Sequence, residues 1–191
     1  MNAVFEKKRQ AARTDESVQA WINHAFDLFH KGSVADAAKL GLKALKVQPR
    51  HFDVLHLMGV IAQQQHDPIQ AIRWFKKALA VNSNHAAAYL NLGNAHHEIK
   101  QYPEALAQFD QALKLEPQFY KAHHNKSLVL REMGLHAQAL SSIKKSLEIK
   151  PDSVVALNQQ GLIYKSLNQF QESYASHALA IQFAPQDVLA Y

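Results

Sequence analysis

The sequence predicts an all-α, right-handed α-solenoid of five helix-turn-helix repeats, preceded by a short N-terminal helical segment. Three observations point there. Gly and Pro number only six each, and β-branched residues are sparse beside Ala, Leu, Gln and Lys, a balance that favours helix. Pro49, Pro117, Pro151 and Pro185 lie 68, 34 and 34 residues apart, with Ser83 in the one vacant slot. Small and large residues recur in the same frame, so the period belongs to whole supersecondary units.

Placing that proline at position 32 sets the repeats at 18–51, 52–85, 86–119, 120–153 and 154–187. Position 4 then reads Trp21, Leu55, Tyr89, His123 and Leu157, and position 28 reads Leu45, Leu79, Leu113, Leu147 and Ile181. Small residues fill position 8 (Ala25, Gly59, Gly93, Ser127, Gly161), position 20 (Ala37, Ala71, Ala105, Ala139, Ser173) and position 27 (Ala44, Ala78, Ala112, Ser146, Ala180). They let helix backbones approach closely, while the large residues fill the space between. Proline ends each second helix, because it lacks an amide donor and its ring clashes with the preceding turn. Turn residues recur between the helices at Lys31-Gly32-Ser33, His66-Asp67-Pro68, Met133-Gly134 and Leu167-Asn168.

This pattern resembles the tetratricopeptide-repeat (TPR) family, with its large residue at 4, small ones at 8, 20 and 27, aromatic at 24 and proline at 32. The resemblance covers residues 17–187. It implies a non-catalytic protein-interaction scaffold that holds an extended peptide or a partner helix against a concave wall of first helices. Position 24 is Phe75, Phe109 and Ile143 in the middle repeats but Gly41 and His177 in the outer ones, which are therefore expected to pack less tightly. Position 7 also departs, with His24, Lys126 and Gln160 where the family prefers Leu.

At about 100° per residue, positions 4, 7, 8 and 11 of the first helix share one side, which packing consumes. Positions 2, 5, 9, 12 and 13 share the opposite side, with position 6 on its shoulder. The candidate groove residues are Asn23, Phe26 and Phe29 in repeat one and His56 and Val60 in repeat two. Repeat three adds Asn91, Asn94 and His97; repeat four adds Lys121, His124, Asn125 and Arg131; repeat five adds Asn158, Gln159 and Lys165. The wall runs from apolar, through amide-lined, to polar and weakly basic.

Three features of that wall carry expectations. Ile22, Phe26 and Phe29 make an apolar stripe opposite the packing stripe Trp21, Ala25 and Leu28. Such a helix is normally covered. Either residues 1–16, a basic helical segment with Val4, Phe5, Ala11 and Ala12 on one stripe, fold back as a cap, or the stripe is a ligand or self-association surface. Second, position 6 reads Asn23, Leu57, Asn91, Asn125 and Gln159. Those amides can either hydrogen-bond an extended peptide backbone or form a merely solvated shoulder. The run AYLNLGNAHHE, residues 88–98, is similar to repeats of O-GlcNAc transferases, which carry an asparagine ladder. That likeness implies a second reading, the substrate-recognition arm of a larger bacterial glycosyltransferase. Third, the cations Lys121, Arg131 and Lys165 do not build the carboxylate clamp of chaperone-type repeats, since position 5 is never Lys; they read as a solvated face with some taste for acidic ligands.

Other chemistries are not expected. The chain has no Cys, so disulfides and thiolate metal sites are excluded. Adjacent His96-His97 and His123-His124 point about 100° apart on a helix and cannot share an ion. No HExxH motif, phosphate loop or nucleophile elbow occurs, so no metal, no cofactor and no catalytic residue are expected. The net charge of +5 is scattered rather than striped, which argues against nucleic acid. No run approaches the roughly 18 apolar residues of a membrane span. No apolar segment follows the basic start, so a cytoplasmic location is expected. Val188 to Tyr191 match the opening of a sixth repeat, so the chain is expected either to be the first part of a longer protein or to dimerise end to end.

Overall fold

The computed structural model describes residues 17–184, and every regular element among them is an α-helix. The expected cap (1–16) and the opening of a sixth repeat (188–191) lie outside the described residues. Helix α1 spans 17–30. It is followed by α2 (Val34–Val47), α3 (Phe52–Gln64), α4 (Pro68–Val81), α5 (Ala86–Glu98), α6 (Tyr102–Leu115), α7 (Tyr120–Glu132), α8 (His136–Ile149), α9 (Val154–Ser166) and α10 (Phe170–Phe183). Contacts divide the chain into an N-terminal unit ending at Asn84 and a C-terminal unit beginning at His85.

Every hairpin closes in the same way. Gly32, His66, Lys100, Gly134 and Asn168, all at position 15, have φ of 81°, 57°, 59°, 76° and 59°. The following amide reaches back five residues: Ser33 to Leu28, Asp67 to Ala62, Gln101 to His96, Leu135 to Leu130 and Gln169 to Tyr164, at 2.8–2.9 Å. This closure satisfies a carbonyl that the end of the first helix would otherwise orphan. It needs one left-handed residue, which glycine supplies freely and a residue with a β-carbon only at a cost. The third turn, around Lys100, carried no such signal in the sequence. Second helices end with the amide at position 31 bonded to the carbonyl at 27, as in Gln48 to Ala44 and Glu116 to Ala112, just before the proline column.

Within a repeat, positions 8 and 24 are reciprocal. A β-carbon added at Gly59 would collide with the ring of Phe75, one at Gly93 with Phe109 and one at Gly161 with His177. Phe75 and Phe109 are fully buried, each contributing about 1.5–3 kcal/mol by leaving water. In repeat one the pair is Ala25 and Gly41, and the space at Gly41 is taken by the thioether of Met58 from α3. Repeat one is therefore closed by a neighbour within its own unit, and Ala37 and Ala44 are fully buried there. That corrects the expectation of looser packing at this end. At the other end α10 leaves Phe170 and Tyr174 62% and 77% exposed. Where serine replaces Ala in the small columns, its hydroxyl finds a carbonyl: Ser173 donates to Gly161 (2.8 Å) and Ser146 to Tyr120 (2.9 Å).

First helices also pack through positions 3 and 10, which helical spacing alone did not single out. Val54 joins Val18, Ile22 and Ala44, while Ile61 joins Ala25, Ala37, Leu57 and Met58. In the C-terminal unit Ala122 and Val129 join Leu90 and Phe109, while Ala156 and Ile163 join Leu130, Ala139 and Ile143.

Candidate functional site

Packing between neighbouring helix pairs takes up part of the face expected to be free. In the N-terminal unit Ile22 and Leu57 are each 3% exposed, inside apolar clusters. Phe26 and Phe29 stay half-buried, leaning on those clusters. The apolar stripe of α1 is thus largely covered by its own unit, because position 5 meets position 3 of the next first helix. Asn23 is exposed and accepts a hydrogen bond from Gln19 at 3.0 Å. His56 stacks on Phe52 (5.9 Å, 9°) and tilts against Phe75, with Val60 half-buried on the same helix.

In the C-terminal unit the wall is formed by α5, α7 and α9. Between α5 and α7 it is knitted together by side chains. Asn125 donates from Nδ2 to Asn94 Oδ1 at 2.6 Å, and Asn125 Oδ1 in turn accepts from His124 Nδ1 at 3.0 Å. His97 donates from Nε2 to the Glu132 carboxylate at 2.9 Å. Burial alone would raise the Glu132 pKa, but the hydrogen bond and charge of His97, with the Tyr102 hydroxyl, hold it below the usual carboxyl range. The Tyr102 phenol is raised in its turn by burial and by its bond to Glu132. Asn91 is half-buried on the same wall.

Between α7 and α9 the picture differs. Gln159 is 6% exposed rather than a free shoulder, and its Nε2 is buried with no hydrogen-bond partner. Arg131 Nε is likewise buried without one. Lys121 and Lys165 are exposed, while the Asn158 Oδ1 accepts from His177 Nδ1 at 3.1 Å.

A cleft of about 670 Å³ lies on the packing side of the C-terminal unit, among α6, α7 and α8. Its lining includes His123, Lys126, Gln138, Ser142 and Lys145, and helical spacing had assigned that side wholly to the core. Lys126, the departure at position 7, reaches into it to pair with Asp110. Burial lowers the pKa of His123, against the Nε2–H bond it donates to Pro117 O at 3.0 Å. His96, in the other packing column, donates to Gln101 at 2.7 Å. Among the described residues no three His, Asp or Glu side chains gather as metal ligands, and no helix is long and apolar enough to cross a membrane.

Residues 50–117 and 98–154 match family models of the tetratricopeptide repeat, which together span more than half of the chain. The fold is similar to that of MamA, 24% identical with a TM-score of 0.81 over 92% of this chain and 96% of that one. It is also similar to PilF of Pseudomonas aeruginosa, 25% identical with a TM-score of 0.79 over 89% and 78% of the two chains. YrrB, a TPR protein with an unusual peptide-binding site, is 21% identical with a TM-score of 0.77 over 96% and 94%. With the recurring helix pairs, the shared left-handed turn and the reciprocal positions 8 and 24 all in one frame, the chain belongs to the tetratricopeptide-repeat family.

Proposed function

We propose that the chain is a non-catalytic protein-interaction scaffold that holds an extended peptide or a partner helix on the wall of its first helices. The observation that carries this reading is the chemistry of α5, α7 and α9. Their outward residues Asn91, Asn94, Asn125, Arg131 and Asn158 stand half-buried, already desolvated and fixed, instead of waving in solvent. Side chains held in this way lose little further freedom when a ligand docks. Peptide backbones offer alternating donors and acceptors that such amides match without reading sequence. The polar cleft on the packing side offers no comparable continuous helix face.

The test is an amide-resolved NMR titration of the full chain with short acidic, neutral and basic peptides. Shifts confined to α5, α7 and α9, or to α1 and α3, are expected. Binding that moves only second-helix amides, or no binding by any peptide, would show that the first-helix wall is not the interaction face.

A further inference from the structure

We propose that the recognition subsite of the C-terminal unit is the seam between α7 and α9, and that it takes an extended acidic segment of a partner protein. A backbone carbonyl of that segment faces Gln159 and a carboxylate faces Arg131. The proposal rests on the first-helix wall being the interaction face.

Its basis is a comparison of two seams related by the repeat. The α5/α7 seam is closed by Asn94 with Asn125 and by His97 with Glu132, pairs 31 and 35 residues apart. Advancing each by one repeat gives Leu128 with Gln159 and Arg131 with Ser166 at the α7/α9 seam. Leu128 has no acceptor to offer. Ser166 carries no charge and donates its hydroxyl to Leu162 O of its own helix at 3.0 Å. The consequence is visible in the side chains: Gln159 Nε2 and Arg131 Nε are both buried without a hydrogen-bond partner. A buried donor that has lost water and gained nothing carries its desolvation penalty unrelieved. Gln159 is one methylene longer than Asn125, so a change of rotamer brings its amide to an acceptor docking on the wall.

Charge selects the acceptor. Helix α9 has one charged residue, Lys165. The single carboxylate of α7, Glu132, is engaged by His97 and Tyr102 and also feels the neighbouring Arg131 charge, and Lys126 is paired with Asp110 on the far side. Lys121, Arg131 and Lys165 are therefore opposed on α7 and α9 only by a carboxylate already in use. A guanidinium in that setting favours a carboxylate over a neutral oxygen.

The experiment uses the full chain and a short fluorescein-labelled peptide of alternating Glu and Ala, beside versions with Gln or Lys in place of Glu. The Glu version is expected to bind most tightly. Gln159→Leu should weaken it about tenfold while raising Tm by about 2–4 °C, because an unpaired buried amide becomes an apolar side chain of similar size. Arg131→Met should weaken it at least as much and flatten its salt dependence. The double change Leu128→Asn with Gln159→Asn copies the closed pair into the open seam, and should stabilise the protein while abolishing binding. Gln111→Ala, exposed on the second helix α6 and away from the wall, should alter affinity by no more than about twofold. If the Glu peptide shifts first-helix amides yet ignores both changes at Gln159, the subsite is overturned and the interaction face stands. If the Gln version binds as tightly as the Glu version, the acidic specificity is overturned. If no peptide of any charge moves a first-helix amide, the underlying reading falls as well.

Discussion

Gly93→Ala separates close packing from helix propensity by the sign of its effect. Gly93 lies in the middle of α5, where alanine would ordinarily stabilise by about 1 kcal/mol. Here a β-carbon would stand 2.5, 2.7 and 3.1 Å from Cε1, Cδ1 and Cζ of Phe109. Carbon atoms rest at about 3.5–4.0 Å, so the ring must retreat by about 1 Å. It has nowhere to go: Phe109, Ala105 and Ala112 are all fully buried on the same helix. Overpacking of this kind costs about 1–3 kcal/mol, which leaves a net loss of about 0–2 kcal/mol after the propensity gain. Each kcal/mol lost should lower Tm by about 2–4 °C in a chain of this length. Phe109→Ile provides the control, because Ser127 with Ile143 shows a larger residue at position 8 beside a smaller one at 24. In that background Gly93→Ala should become neutral or stabilising, a coupling of about 1–2 kcal/mol. Urea unfolding followed by far-UV circular dichroism measures all four members of the cycle. A full stabilisation of about 1 kcal/mol in the wild-type background, unaltered by Phe109→Ile, would refute the close-approach account of position 8.

Two further outcomes follow from particular side chains. Because burial lowers the His123 pKa, the neutral ring contributes stability that is complete above the unfolded value of about 6.5 and is lost as pH falls through the folded value. His123→Leu, which copies Leu55 and Leu157, should therefore reduce the drop in Tm between about pH 7 and about pH 5, measured by thermal melts across that range. Lys100 holds the left-handed position of its turn with φ 59°, so Lys100→Gly should gain about 1 kcal/mol in urea unfolding, whereas Gly134→Ala, at φ 76°, should lose a similar amount.

The scaffold was legible because its determinants repeat. Five copies of one period average out local exceptions, and the columns at 4, 8, 20, 27, 28 and 32 keep their residue class in most copies. What escaped was whatever one helix pair does to another. Helical spacing distinguishes two sides of a first helix, but this helix meets three neighbours, and positions 3 and 10 face the third. Hence Ile22 and Leu57, expected on an open wall, lie buried in clusters with Val54 and Ile61. The turn at Lys100 escaped for a different reason: the left-handed conformation was held by the Schellman closure in spite of its residue, so no composition signal marked it.

In the C-terminal unit α5, α7 and α9 lie side by side, but the side chains expected to stand free on them are in part already engaged. Asn125, one of the position-6 amides that suggested a peptide-binding ladder, is bonded to Asn94, which spends one amide hydrogen and one acceptor on joining α5 to α7. Reading columns vertically, residue type by residue type, cannot reveal this, because the bond joins position 9 of one repeat to position 6 of the next. The diagonal between the two columns carries it. The 31-residue diagonal from Asn94 to Asn125 becomes Leu128 to Gln159 one repeat later, and the 35-residue diagonal from His97 to Glu132 becomes Arg131 to Ser166. An intact diagonal closes a seam; a broken one leaves a buried donor without a partner, as Gln159 and Arg131 show. Uniform repeats would satisfy every diagonal and present no distinctive site, so in a repeated fold the places where copies disagree across a seam are where recognition has room to operate.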